Sequence, residues 1–321
     1  MRPRLFSHGL LPIFAISLAS ALTGCQTGSQ QASVPPAPAP TNQAPFAPVP
    51  ANPSAVNQVP VTPPPAPRPV LSQTPEAPAQ PNITAKAAIL VDARGRVLFE
   101  KNADMRVPVA STQKLLLGIM IAERGNLSQS ITIQDPDTWA EPTVMGIKTG
   151  QVYTREELLR AVLVRSSNDI ARALARDHSG SVSAFAAAMN TRARQLGMRN
   201  SYFTNASGLP SPPGQYSTAR DLVILGQAAM RKPFVREAVR TKGLVFRFSD
   251  GTTKTVYNTN QVLKNFPYCT GMKTGFTNAA GRCLVSSATL GGRTVYAVIL
   301  GSKTPTVWIE SEALLKYGLS Q

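Results

Sequence analysis

Hydrophobic and polar positions divide the chain into three unlike stretches. Behind Arg2 and Arg4 lies an apolar run from Leu10 to Leu22, and residues 26–82 then carry neither a helical nor a strand period. From residue 83 onward both periods are present. Ile89-Leu90-Val91-Asp92 and Val97-Leu98-Phe99-Glu100 flank Ala93-Arg94-Gly95-Arg96, which predicts a β-hairpin. Pro108-Val109-Ala110 leads into an almost wholly apolar helix over 111–123, and a helix that is apolar all round is buried. Further helices are predicted at 154–164, 168–178, 182–196 ending at Gly197, and 218–230. Thr154 with Glu157 three residues on forms a capping box for the first of these. Strands follow near 244–249, 253–257, 270–275, 282–290 and 294–301, and a helix over 306–317 closes the chain. Strands at both ends around a helical middle give an α+β fold class.

The two N-terminal stretches look like export and tethering. Residues 1–24 read as a secretory signal, too short and too rich in small residues at its end for a membrane span. Leu22-Thr23-Gly24-Cys25 resembles a bacterial lipobox, which implies cleavage before Cys25 and its lipidation, a lipid anchor to the membrane. Residues 25–82 then comprise the lipidated cysteine and a tether, in which 26–82 hold 17 of the 28 prolines and only Arg68 and Glu76 are charged. Such a composition buries no core, and at ~3.1 Å per residue it reaches on the order of 180 Å at most. Residues 83–321 are long enough for one large domain.

Charge is concentrated in that domain: 30 of 33 basic and 16 of 17 acidic residues lie there, giving it a formal +14. The bases are scattered and no nucleic-acid motif accompanies them, so anionic envelope polymers or a membrane surface are better partners than nucleic acid.

Candidate chemistry begins with what is scarce. There are only two histidines, His8 in the leader and His178 where a helix ends. A positive charge is favoured at a helix C-terminus, so His178 reads as a surface residue there. A nucleophilic serine would therefore need another base. Ser111-Thr112-Gln113-Lys114 supplies one, because residues three apart on a helix share a face, with Cβ atoms roughly 5–6 Å apart. Lys114 would sit desolvated at the head of a buried helix, which lowers its pKa from the usual ~10.4. Ser166-Ser167-Asn168 and Lys273-Thr274-Gly275 follow in order. A second tripeptide, Lys148-Thr149-Gly150, precedes Ser166 and reads as a loop.

This ordered trio resembles the signature of penicillin-recognising serine enzymes. Gly208-Leu209, the run Gly214 to Asp221, Asn258-Thr259-Asn260 and the run Gly271 to Gly281 narrow the resemblance. They are similar to the serine-type D-Ala-D-Ala carboxypeptidases, the low-molecular-mass penicillin-binding proteins of peptidase family S11, over about residues 83–319.

The resemblance implies a β-lactamase/transpeptidase-like fold, an antiparallel sheet flanked by helices with the site at the sheet edge. It also implies removal of the terminal D-Ala from peptidoglycan stem peptides on the extracytoplasmic side of a bacterial membrane, with β-lactams as covalent inhibitors. Ser111 is then the nucleophile, Lys114 the base and Ser166 a proton relay. Asn168 binds the substrate amide and helps place Lys114, while Lys273 and Thr274 hold the terminal carboxylate. Gly275 belongs to the same binding strand, and the backbone N–H groups of Ser111 and Phe276 form the oxyanion hole. No metal or other cofactor is called for. Many members continue into a β-domain and a C-terminal membrane helix, so here the N-terminal lipid is expected to serve as the anchor.

Two alternatives stay open: a DD-endopeptidase that cuts cross-links, and a β-lactam-binding wall lipoprotein with little activity. A β-lactamase is disfavoured, since no glutamate lies between Glu157 and Glu237 to deacylate the enzyme. Cys269 and Cys283 flank Lys273-Thr274-Gly275. A hairpin turn at 276–280 would set Cys283 opposite about residue 273, too far from Cys269 for a disulfide, so both are expected as buried thiols.

Overall fold

A computed structural model describes residues 79–321. The expected signal peptide, Cys25 and nearly all of the expected tether lie outside the described residues. In chain order the elements are β1 (Ala87–Asp92), β2 (Val97–Lys101), α1 (Lys114–Arg124), β3 (Ser130–Thr132), β4 (Val152–Thr154) and α2 (Arg155–Arg165). There follow α3 (Asn168–Ser179), α4 (Val182–Leu196), α5 (Ala219–Met230), α6 (Pro233–Arg240), β5 (Gly243–Arg247) and β6 (Thr253–Tyr257). The chain closes with α7 (Gln261–Asn265), β7 (Cys269–Thr277), β8 (Gly281–Leu290), β9 (Arg293–Ser302) and α8 (Thr306–Ser320).

Five strands make one antiparallel sheet in the order β2-β1-β9-β8-β7. Both faces are covered, which explains why its strands read as apolar runs instead of alternating with polar residues. Along β9, Tyr296, Val298 and Leu300 join the large core that includes α1 and α5, while Val295, Ala297 and Ile299 pack with Val307, Leu314 and Leu315 of α8. Successive side chains point to opposite faces, so one strand feeds two cores. Helix α1 is the hub of the larger one, with every residue from Lys114 to Ile121 buried. No helix among the described residues is long and apolar enough to cross a membrane.

Several boundaries differ from expectation. The α-helix starts at Lys114, and Ala110–Gln113 form a 3-10 turn ahead of it. Ala110 has φ +49°, left-handed backbone that costs an L-residue roughly 1–2 kcal/mol, and this kink sets Ser111 off the helix axis. Strands β5 and β6 form their own two-stranded sheet, as do β3 and β4. Cys283 pairs with Gly275, not with residue 273, because the turn is confined to 278–280, and Cys269 lies opposite Ala288. Both thiols are buried and free.

Candidate active site

Strand β7 is the sheet's outer edge, paired only with β8, and its free side faces the 3-10 turn that carries Ser111. The approach is close enough to require glycine. A Cβ on Gly275 would lie 2.9 Å from the Ser111 amide nitrogen and 2.8 Å from Val109 O. On the other side of the turn, Gly208 has φ +88°, and a Cβ there would come within 2.1 Å of Ala110 O. The Ser111 backbone is thus clamped between a strand and a loop.

Lys114 is completely buried. Its Nζ lies 2.7 Å from Ser111 Oγ, 2.7 Å from Asn168 Oδ1 and 2.6 Å from Ser207 O. Two of these partners are carbonyl oxygens, which can only accept. Nζ donates in all three contacts, and the Ser111 hydroxyl donates to Ser207 O (3.1 Å). A neutral amine has two hydrogens and one lone pair, so with both hydrogens on the carbonyls its lone pair becomes available to the Ser111 hydroxyl. Burial pushes the Lys114 pKa well below the ordinary lysine value, and repulsion from Lys273 lowers it further, against an opposing pull from Asp169. Desolvation thus favours the uncharged form.

The loop bearing Ser207 is organised by Asn205. Its Oδ1 accepts from the N–H groups of Ser207 (3.0 Å) and Gly208 (2.7 Å), and its Nδ2 donates to Leu209 O and Ser211 O. Gln113 Nε2 donates to Asn205 O (2.6 Å), joining the loop to the head of α1. These residues were not singled out from the sequence. The usable signal was Asn-x-Ser-Gly, whose side chains favour turns, but the group that matters is a backbone carbonyl that no residue type encodes.

Ser166 caps the C-terminus of α2 with φ +70°, Ser167 is the N-cap of α3, and Asn168 opens α3. All three are buried. Asn168 is fixed from behind, its N–H donating to Thr143 O (2.8 Å) and its Nδ2 to Pro142 O. Asp169 accepts from the N–H groups of Met145 (3.0 Å) and Gly146 (2.8 Å), which holds the same loop. Thr143 also has φ > 0. Ala110, Thr143 and Ser166 thus put three of the five left-handed non-glycine residues among the described residues around one lysine, as strain at a functional site would have it.

On β7, Lys273 is buried and its Nζ reaches Thr274 O (3.2 Å). Desolvation lowers its pKa to about 7. Thr274 Oγ1 lies 2.5 Å from Thr259 Oγ1, which ties in the Asn258-Thr259-Asn260 segment. Phe276 is 51% exposed, with the Arg282 guanidinium 4.3 Å above its ring centroid. Two candidates fall elsewhere. Lys148-Thr149-Gly150 is an exposed turn before β4. His178 sits near the far end of α3 from Asn168, edge-on to Phe185, with Nδ1 2.7 Å from Ser179 Oγ.

The model of the D-alanyl-D-alanine carboxypeptidase family matches residues 74–304, well over half the chain. The chain belongs to that family. It is 34% identical over 246 residues to D-alanyl-D-alanine carboxypeptidase DacB2 of Mycobacterium tuberculosis, covering 75% of this chain and 84% of the relative. It is 36% identical to DacC of Escherichia coli over 74% of this chain, and spans only 62% of that protein's length. A crystal structure of D-alanyl-D-alanine carboxypeptidase from Mycobacterium tuberculosis superposes with a TM-score of 0.73 at 30% identity, covering 77% of this chain and 95% of the other. The α+β fold, with an antiparallel sheet flanked by helices, is that of the DD-peptidases.

Proposed function

We propose that this chain is a serine-type D-Ala-D-Ala carboxypeptidase that trims wall peptides through an acyl-enzyme on Ser111. The observation that carries this reading is the buried Lys114 amine, 2.7 Å from Ser111 Oγ and held there by Asn168 Oδ1 and Ser207 O. Ser111 Oγ attacks the carbonyl carbon of the penultimate D-Ala while its proton passes to Lys114 Nζ. The tetrahedral oxyanion is received by the backbone N–H groups of Ser111 and Phe276. Ser166 delivers a proton to the departing D-Ala amine and is reprotonated by the Lys114 ammonium, which restores the neutral amine. Water then releases the shortened peptide. Lys273 and Thr274 hold the terminal carboxylate, and Asn168 serves both the substrate amide and the placement of Lys114. β-Lactams acylate Ser111 by the same route and leave slowly. Cys25 carries the lipid that tethers the enzyme on the extracytoplasmic side of the membrane.

Gly275→Ala tests the oxyanion site. Its methyl would meet the Ser111 amide and Val109 O, backbone atoms that yield only by moving the donor. Misplacing one such donor costs about 10²–10³-fold, so penicillin acylation should slow by that factor in a variant whose circular dichroism is unchanged. A wild-type rate would remove these amides from the mechanism.

The function itself is tested with diacetyl-Lys-D-Ala-D-Ala and a cross-linked muropeptide. D-Ala released from the first alone is the expected result. Cleavage of the cross-link would make the enzyme an endopeptidase, and inertness toward both would leave a penicillin-binding wall lipoprotein.

A further inference from the structure

Residues 132–142 run along α3 in the opposite direction and are tied to it once per helical turn. Arg176 Nη2 donates to Thr132 O (2.9 Å), Arg172 Nε to Pro136 O (2.8 Å) and Asn168 Nδ2 to Pro142 O. Beside this strap lies a groove of about 520 Å³ whose lining includes Gln134, Pro136, Arg172, Ser181, Thr204 and Pro212. Its far wall, through Thr204 and Pro212, belongs to the loop whose Ser207 carbonyl binds Lys114. Its near wall is the strap whose Pro142 carbonyl binds Asn168. The groove therefore lies between the two loops that hold the base in place.

The charges in it are unevenly matched. Asp137 is taken up by Arg176 through contacts of 2.7–3.1 Å, and Asp135 Oδ2 accepts from Trp139 Nε1 (3.1 Å). Arg172 commits only Nε, to a neutral carbonyl, and no ion pair to it is present among the described residues. Its two terminal nitrogens remain for a ligand, in the fork geometry that suits a carboxylate.

We infer that this groove is an acyl-side subsite that takes a free carboxylate on the substrate peptide upstream of its D-Ala-D-Ala end, with Arg172 as the binding residue. The inference rests on the function proposed above. With the terminal carboxylate held at Lys273, the acyl half of the peptide must leave Ser111 in another direction, and the groove comes nearest to Asn168 along α3 at Arg172. Arg172 is one turn of α3 from Asn168, a step of ~6 Å. Ser111 Oγ and Asn168 Oδ1 each lie 2.7 Å from Lys114 Nζ, so a peptide leaving Ser111 passes Asn168, and about two further residues of extended chain (~7 Å) cover the turn to Arg172. In a stem peptide the second residue upstream of the acylated D-Ala is a γ-linked D-glutamate, whose α-carboxylate is free unless amidated.

The test uses the full chain and two pentapeptides that differ only in a carboxylate or a carboxamide at that glutamate. Wild type should favour the carboxylate about tenfold in kcat/KM, through KM. Arg172→Gln should bring the ratio to near one, and Arg172→Lys should keep part of it. A ratio of rates is independent of how much protein is folded, so loss of stability in a variant does not mimic the effect. A wild-type ratio near one, or a preference that survives Arg172→Gln, would overturn the subsite alone. Release of D-Ala from neither peptide would overturn the proposed function, and the subsite with it.

Discussion

Replacing Lys114 by methionine is expected to slow penicillin acylation by about 10²–10⁴-fold, the range over which a positioned general base acts. Methionine fills much of the same volume and cannot take a proton. The substitution leaves Asn168 Oδ1 without its partner, at about 1–3 kcal/mol, while Ser207 O keeps the Ser111 hydroxyl as donor (3.1 Å). Against this stands the cost of burying the lysine itself, which the substitution removes. The two effects offset, so the variant should fold. Gel labelling with a fluorescent penicillin, alongside a thermal melt, measures both. A folded variant that still labels at the wild-type rate would refute the role of the amine.

Much of this was legible because the elements concerned obey a strong period. The apolar run after Ser111 reads as a buried helix, and the runs that form β7, β8 and β9 read as strands. What escaped was short or non-local. Helices α6 and α7, eight and five residues long, carry too few turns to show a period. The 3-10 turn at Ala110–Gln113 reads locally as the first turn of α1. It departs because strand β7 and Gly208 clamp it from either side, a constraint set by residues about 100 and 160 positions away. Serine and lysine three apart still meet, so the chemistry read from helical spacing survives a wrong helix start. The Ser207 carbonyl and the strap at 132–142 are features of the backbone's path, and side-chain identity does not encode them.

The second large effect concerns Lys273, where function and stability pull apart. A lysine held near 7 rather than at its ordinary 10.5 costs the fold on the order of 5 kcal/mol at low pH, each tenfold in proton affinity being ~1.4 kcal/mol. The sign follows from proton counting. Between about pH 7 and 10.5 the unfolded chain holds this proton and the folded one does not, so stability rises with pH across that window. Below about 7 both states are protonated and the full penalty stands. Lys273→Met removes it. The variant should be more stable than wild type by a few kcal/mol at pH 6, and the gain should shrink steadily towards pH 10. Thermal melts at the two pH values decide this, and a gain that does not depend on pH would contradict it. Peptide hydrolysis should meanwhile fall by on the order of 10²–10³-fold in kcat/KM, since the substrate's carboxylate loses its buried cation. In wild type the same titration should give an alkaline limb that begins near pH 7, because in the proposed mechanism only the ammonium form of Lys273 binds the carboxylate. Lys114 gives the opposing acid limb, since protonation fills its lone pair. Charge on Lys273 lowers the proton affinity of Lys114, so in the proposed mechanism the group that grips the substrate also keeps the base free to act. A peptide ending in a carboxamide should keep the acid limb and lose the alkaline one.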